Sequence, residues 1–543
     1  MNFASRYICV MLTLRDHHSG DLFDPWEYLG AKRRRLLDQS WAGVFRDYLL
    51  KQLPVGELEA GFRDDFGSPT KDLYVALGAL ILQQLHDLTD QQTTEAIALN
   101  IAWHYALDIR QESDAYLCER TLRNYRKKVL DAGLDQVLFR TLTDKLVEEI
   151  GVDTSKQRLD STAIRSAIRG LTRLGILVEA TSKFLRELKR KDPVSFSSVA
   201  SEIVLKYFER TGEGCFGDTR PSESRKRLLE AARDVFALVE RFRDAECKNL
   251  ESYQLLRSVF EEQCEVAEGD ESAVSIKPPS KKDCDGVINP ADPDARYNKH
   301  RGTGYLVQIM ETYDENDSKD AENVSKPKPD LITHVAVDPL TMHDKDALTP
   351  AFDDTEQRGV KPQELLADSH YGSTECIEKG RDRDVEIVSP AQTPKGKLQG
   401  KFTLEDFELN IDGRITQCPA GEQPIETSVA GVRLQVVFAK TACEGCPHKH
   451  RCPASSVGRG SARYQYTHDR VHLRQRRIAE RSDDFRDRYR WRAGVEATMS
   501  RFKYQMGMAR LRIRGMASVS YTATLRALGL NIRRVAAYRS AVG

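Results

Sequence analysis

The chain is predicted to be an α/β protein. Its core is a mixed five-stranded sheet with helices on both faces, preceded by an all-α region and interrupted by a helical insertion and a small cysteine-rich β insertion. Apolar residues recur at helical spacing through residues 30–150. Short apolar, strand-like segments alternate with helical ones between about 300 and 390. Four cysteines then cluster between Cys418 and Cys452. The corresponding divisions are 1–150 (helical), 155–535 (the α/β core), 170–290 (helical insertion) and 396–466 (cysteine-rich insertion).

In order along the chain, Lys71 to Leu88 carries helical periodicity behind the start signal Ser68-Pro69-Thr70. A second helix is expected from Gln91 to Leu107. A third, Glu119 to Ala132, is basic and exposed, with Arg123, Arg126 and Lys127 as candidate DNA contacts. Short helices ending in a basic one resemble a helix-turn-helix, although a helical bundle with a basic face has the same pattern. Gln157 to Ala163 is a short strand containing Asp160. From Leu171 to Glu268 apolar positions such as Leu228, Val235, Leu238, Leu256 and Phe260 suggest a helical hairpin. Gly269 to Asn289 is a linker. Gly304 to Tyr313 and Leu331 to Val337 follow as an antiparallel pair. Then come a helix (Lys345 to Arg358), a strand (Glu364 to Asp368), a helix (Thr374 to Lys379) and a strand (Val385 to Ser389).

The chain has 543 residues, enough for several domains, and its formal net charge is zero. That zero conceals an uneven distribution: from Val457 onward 20 Arg and Lys stand against 6 Asp and Glu. Such a block is the footprint expected of a nucleic-acid partner, and equally suits a solvated charged helix. No apolar run approaches a membrane span and the N-terminus carries no cleavage pattern, so cytoplasmic residence is expected. Cys9, Cys118, Cys215, Cys247, Cys264, Cys284 and Cys376 are scattered and do not form a disulfide framework.

Near the C-terminus, Tyr489, Arg492, Glu496 and Lys503 are spaced to fall within roughly a 60° stripe of one helix. One carboxylate there stands in line with a ring hydroxyl and two cations. Asp160, in Leu159-Asp160-Ser161-Thr162, and Asp368, in Ala367-Asp368-Ser369-His370-Tyr371-Gly372, sit in or at the end of strands. Carboxylates so placed converge at the edge of an open α/β sheet. Taken singly, each has an ordinary reading as a cap, a turn former or a solvated helix residue. Together they make an oxygen-only site suited to Mg²⁺ or Mn²⁺. Two such ions about 4 Å apart suit in-line displacement at phosphorus.

The pattern Tyr-x2-Arg-x3-Glu-x6-Lys, with Asp160 and Asp368 upstream, resembles the signature of DDE transposases of bacterial insertion sequences. The resemblance implies a ribonuclease H-like core and a helical N-terminal domain. It implies Mg²⁺-dependent DNA strand cleavage and strand transfer, with Asp160, Asp368 and Glu496 as catalytic metal ligands. Tyr489, Arg492 and Lys503 would grip the DNA ends, and Arg501, Arg510, Arg512 and Arg514 would extend that contact along the backbone. Double-stranded DNA, as terminal inverted repeats and target, is the expected partner, with a homodimer assembled on it. Two features depart from the pattern: more than a hundred residues separate Asp160 from the next core strand, and Ser369-His370 stands where a small residue or glycine is expected. His370 suits either a structural turn or a contact to substrate or metal.

Cys418, Cys443, Cys446 and Cys452, with one C-x2-C pair, have the spacing of a closed tetrahedral zinc site, with His448 or His450 as substitute ligands. The alternative is reduced, unligated thiols or a redox pair. For the whole chain, two further readings remain open: a metal-dependent DNA nuclease without strand transfer, and a non-catalytic DNA-binding regulator derived from a transposase.

Overall fold

A computed structural model describes residues 13–19, 22–62, 70–211, 224–266, 274–278, 286–315, 326–457 and 461–542. The central sheet is built from strands β1 (Lys156–Arg165), β2 (Gly302–Thr312), β3 (Ile332–Pro339), β4 (Glu364–Ala367) and β5 (Glu386–Val388). Their spatial order is β3-β2-β1-β4-β5. β2 lies antiparallel to both β1 (Asp160 opposite Ile309) and β3 (Ile309 opposite Val335). β4 lies parallel to β1 (Leu159 opposite Ala367), and β5 parallel to β4 (Leu366 opposite Val388). A sixth strand, Arg296–Asn298, folds back on the start of β2 and corrects the expected count of five. Three residues are too few to display a period, which is why it is invisible in the sequence.

Side chains alternate across β1, so its neighbours meet different layers. Leu159 points to the face covered by helices α4 (Leu348–Gln357) and α5 (Thr374–Arg381), where Leu348, Phe352, Tyr371 and Ile387 pack. Ile164, with Tyr305, Val307 and Ile309 of β2, points to the opposite face. That face is covered by α1 (Leu73–Leu85), α2 (Glu119–Asp131), α3 (Leu134–Ile150), and by α7 (Gly494–Ser500) and α8 (Met516–Val542), which follow α6 (Asp483–Tyr489) near the C-terminus. The N-terminal helices and the sheet therefore share one continuous apolar core. α8 runs through it: Val519 and every residue from Tyr521 to Ile532 are buried. A helix apolar all round is stable only when enclosed. Asn531 fixes it to β3, accepting from the Ile332 N–H and donating to the Ile332 carbonyl, both at 2.8 Å.

Local signals explain the boundaries. α1 begins after Asp72, whose carboxylate accepts from the Tyr74 N–H at 3.2 Å, rather than at Ser68-Pro69-Thr70, of which Ser68 and Pro69 lie outside the described residues. The expected Gln91–Leu107 helix is two, Asp90–Leu99 and Ile101–Leu107, because Asn100 turns extended and caps the second. The segment expected as a hairpin holds three main helices, Arg173–Lys191, Ser224–Arg241 and Glu251–Gln263, around their own core of Leu177, Phe184, Val235 and Leu256. Part of the expected linker, Val274–Ile276, pairs instead with Cys264–Val266. The base of this arm is tied together by Asn289, which donates to the Arg169 carbonyl at 2.9 Å. Strands Glu426–Ala430, Arg433–Phe438, Ser461–Thr467 and Ser455–Val457 form a separate four-stranded sheet with its own small core. Among the described residues no helix is long and apolar enough to cross a membrane.

Candidate active site

The parallel register of β1 and β4 carries one residue past Leu159 and Ala367, placing Asp160 beside Asp368 on neighbouring strands. Asp368 ends β4, and its carboxylate caps the following turn by accepting from the His370 N–H at 2.9 Å. His370 itself is exposed on that turn. Asp160 shares its face of β1 with Arg158, and Arg158 is what draws the third acidic residue near.

Arg158 is buried and donates from Nε to Glu311 of β2 (2.8 Å), from Nη2 to Asp330 (2.6 Å) and from Nη1 to the Trp491 carbonyl (2.8 Å). Glu311 has no exposed side-chain surface and also accepts from Thr498 of α7 (2.7 Å) and Arg534 of α8 (2.8 Å). Burial alone raises the pKa of Glu311. The Arg534 and Arg158 cations with the Thr498 hydroxyl overcome this and hold the carboxyl below its usual range. Gly494 makes the approach possible, since a Cβ there would stand 2.1 Å from Arg158 Nη1. The network docks the segment carrying Glu496 onto the sheet.

That segment is not one regular helix, as the stripe assumed. α6 leads into a 3₁₀ turn (Arg490–Ala493), then α7, then a π turn (Arg501–Gln505). The four residues of interest still gather near Asp160. Arg492 bridges two carboxylates, donating from Nη2 to Asp160 Oδ2 (2.8 Å) and from Nη1 to Glu496 Oε1 (3.0 Å). Glu496 is otherwise turned to solvent. Burial raises the Asp160 carboxyl to about 6; Arg492 and the Ser161 N–H oppose this, and Asp368 and Asp344 add to it. Burial likewise pushes the Tyr489 phenol up to about 12, opposed by Arg492 and assisted by Asp368 and Asp160. Tyr489 also stacks on Phe485 with centroids 5.4 Å apart.

Two neighbours were not anticipated. Asp344 is buried beside the site, accepting from Ser161 Oγ (2.6 Å) and Arg301 Nη2 (3.1 Å). Tyr371 lies beneath, where burial and Asp344, Asp368 and Asp160 push its phenol far up. Asp344 begins a short helix, a position where acids are common for capping alone, so its sequence signal was indistinct.

The donors suit a hard divalent cation, being oxygens held close to one another with a raised carboxyl among them. Among the described residues, however, no three His, Cys, Asp or Glu side chains are gathered tightly enough to grip an ion as they stand. At the carboxylates, Arg492 lies between Asp160 and Glu496. At the cysteines, Cys418, Cys443, Cys446 and Cys452 are free thiols that neighbour one another without closing into a ligand set. Burial, then the adjacent thiols, raise Cys443 and Cys452. His448 packs edge-on against Phe402, 5.4 Å between centroids.

Of the expected DNA contacts, Arg123, Lys127, Arg501, Arg510 and Arg514 are exposed. Arg126 is not free to make one: it turns inward to Asp90 and donates to Gln83 Oε1 at 2.9 Å. The period of α2 explains this, since position 126 borders the buried side formed by Leu122, Tyr125 and Val129. Arg512 stands 3.8 Å from Asp87.

Comparison with known proteins finds two family models. The one described as "Transposase DDE domain" matches residues 417–536, a span that contains Tyr489, Arg492, Glu496 and Lys503. The one described as "Transposase domain (DUF772)" matches residues 40–128, within the N-terminal helices. No curated protein and no solved structure matches the chain. The two matches, one toward each end of the chain, support a DDE-type transposase.

Proposed function

We propose that the chain is the transposase of a bacterial insertion sequence, acting through a ribonuclease H-like core on the element's terminal inverted repeats. Sheet order and sense support that core: three antiparallel strands at one side, two parallel ones at the other, with the first strand central. The observation that carries the reading is Asp160, on the central strand, as the shared neighbour of Asp368, Arg492, Tyr489 and, through Arg492, Glu496.

In this reading Asp160, Asp368 and Glu496 would hold two Mg²⁺ or Mn²⁺ ions, with Arg492 turned away from the carboxylates it spans. Bound ions would activate the attacking oxygen and stabilise the leaving one. Arg492 and Lys503 then neutralise phosphate, and the Tyr489 hydroxyl donates to a phosphate oxygen. The basic outer face of α2, with Arg123 and Lys127, lies along duplex DNA. The four cysteines, if drawn together, would hold a structural Zn²⁺ beside the four-stranded sheet.

The test is incubation with element-end DNA and Mg²⁺, which separates joined product, cleavage only and binding only. Glu496→Ala is expected to remove several kcal/mol of transition-state stabilisation, a loss on the order of 10³-fold in rate, while end binding persists. A variant that still cleaves at the wild-type rate would exclude Glu496 from the chemistry. Cleavage without joining would favour the nuclease reading, and binding without cleavage the regulator.

A further inference from the structure

Near Asp160, cations from separate elements converge. Arg165 ends β1, Arg301 precedes β2, and Lys503 sits in the π turn after α7. The backbone of Arg165 bridges that of Arg510, drawing the segment after the π turn alongside β1. Arg165 reaches over the start of β2, its Nε 3.9 Å from where a Cβ on Gly302 would stand. Arg301 is aimed by its bond to Asp344, which is itself held by Ser161. Among the described residues, neither Arg165 nor Lys503 has an ion-pair partner. Lys503 is half-buried; burial, then the nearby Arg165 and Arg301 charges, hold its ammonium below the ordinary range, with Asp160 opposing. Mutual repulsion at so confined a spot is relieved by an anion placed among the cations.

We propose that Arg165, Arg301 and Lys503 form a cradle for a DNA backbone phosphate next to the scissile one, fixing the register of the strand rather than reading its sequence. This rests on the DNA-processing reading above. Three donors carried by β1, by the turn before β2 and by the π turn suit one tetrahedral oxyanion. Arg301, held by Asp344 beside Asp160, ties the cradle to the carboxylate site. Asp344 thereby acts as a positioning residue.

The test measures binding of a short fluorescein-labelled random duplex by anisotropy across a range of KCl concentrations, without divalent ions. Arg165→Gln, Arg301→Gln and Lys503→Gln are each expected to reduce the slope of log K against log salt, and the three together to reduce it by about 0.9, the share of the single phosphate they cradle. Arg165→Lys is expected to retain the wild-type slope, which separates loss of charge from misfolding. Arg190→Gln, on the exposed surface of the helical arm, is the control and is expected to change nothing. Unchanged slopes in the three Gln variants, with wild-type binding intact, overturn the cradle and leave the broader function standing. A wild type that does not bind duplex overturns the broader function as well. Titration with inorganic phosphate is the second arm: saturable phosphate binding lost in Arg165→Gln, with unchanged duplex slopes, would make this a free-anion site and overturn the DNA assignment.

Discussion

At the scale of single residues, Gly494 holds the architecture of the site together. An unrestrained arginine would swing aside from an added methyl group. Arg158 has little freedom to do so, being held by Glu311, Asp330 and the Trp491 carbonyl. Gly494→Ala is therefore expected to destabilise the fold by about 1–3 kcal/mol through overpacking and to misplace Glu496. Urea denaturation and cleavage assays measure the two effects, with the exposed Ala493→Ser as control. Wild-type stability and activity in Gly494→Ala would show that the contact yields cheaply. The need for glycine was hidden in the sequence. Arg158 lies more than three hundred residues upstream, and nothing local in Arg-Ala-Gly-Val-Glu points to a guanidinium pressed on the backbone. Asp368 was easier to see, because a carboxylate closing an apolar strand follows from short-range pattern alone, whereas Asp160 lies midway along β1. Asp344 was harder, because its partners Ser161 and Arg301 come from elsewhere in the chain.

At the scale of elements, the segment from Tyr489 to Lys503 shows how far periodicity reaches. A period near 3.6 correctly assigns helical backbone, but it cannot register a 3₁₀ turn that winds tighter or a π turn that winds wider. Those turns adapt the segment to its dock, where the Trp491 carbonyl within the 3₁₀ turn receives Arg158. The four-stranded sheet beside the cysteines is the second element with a consequence. Its core is small, built from residues such as Phe407, Leu434, Val436 and Tyr464, and a metal would add what burial does not. Purified protein is expected to carry about one equivalent of zinc, and Cys446→Ser to lose it together with the local protection from proteolysis. Four thiols that react freely with a chromogenic disulfide, with no zinc by elemental analysis, would leave this sheet without a metal.

At the scale of the whole molecule, the N-terminal helices and the last helix meet at His86. Its ring lies between Trp41 (4.6 Å) and Trp103 (6.0 Å), and Arg533 of α8 donates to the adjacent Leu85 carbonyl at 2.7 Å. Burial, then the Arg533 charge, lower its pKa from 6.5 to about 4. The unfolded chain therefore takes up the proton first. Stability from this site is whole above about pH 6.5 and is lost as pH falls toward 4, by on the order of 3 kcal/mol at most. Unfolding midpoints across that window should fall more steeply for wild type than for His86→Phe, and parallel curves would rule His86 out as the cause. This joint was the least legible feature of the sequence. Local pattern divided 1–150 from 155–535, whereas burial joins their helices in one core.

The route of α8 through that core has a consequence in time. About 380 residues separate Ile150 from Ile532, so a ribosome adding 5–20 residues per second needs roughly 20–80 s to supply the strut that the first helices pack against. During that interval Leu77, Ile81 and Leu142 lack part of their final cover, and nascent chains must be shielded from one another. Glu496 emerges from the same late stretch of chain. A polypeptide stopped short of α8 already contains Glu496 but lacks the helix that completes the core behind it, where Val495 and Met499 pack.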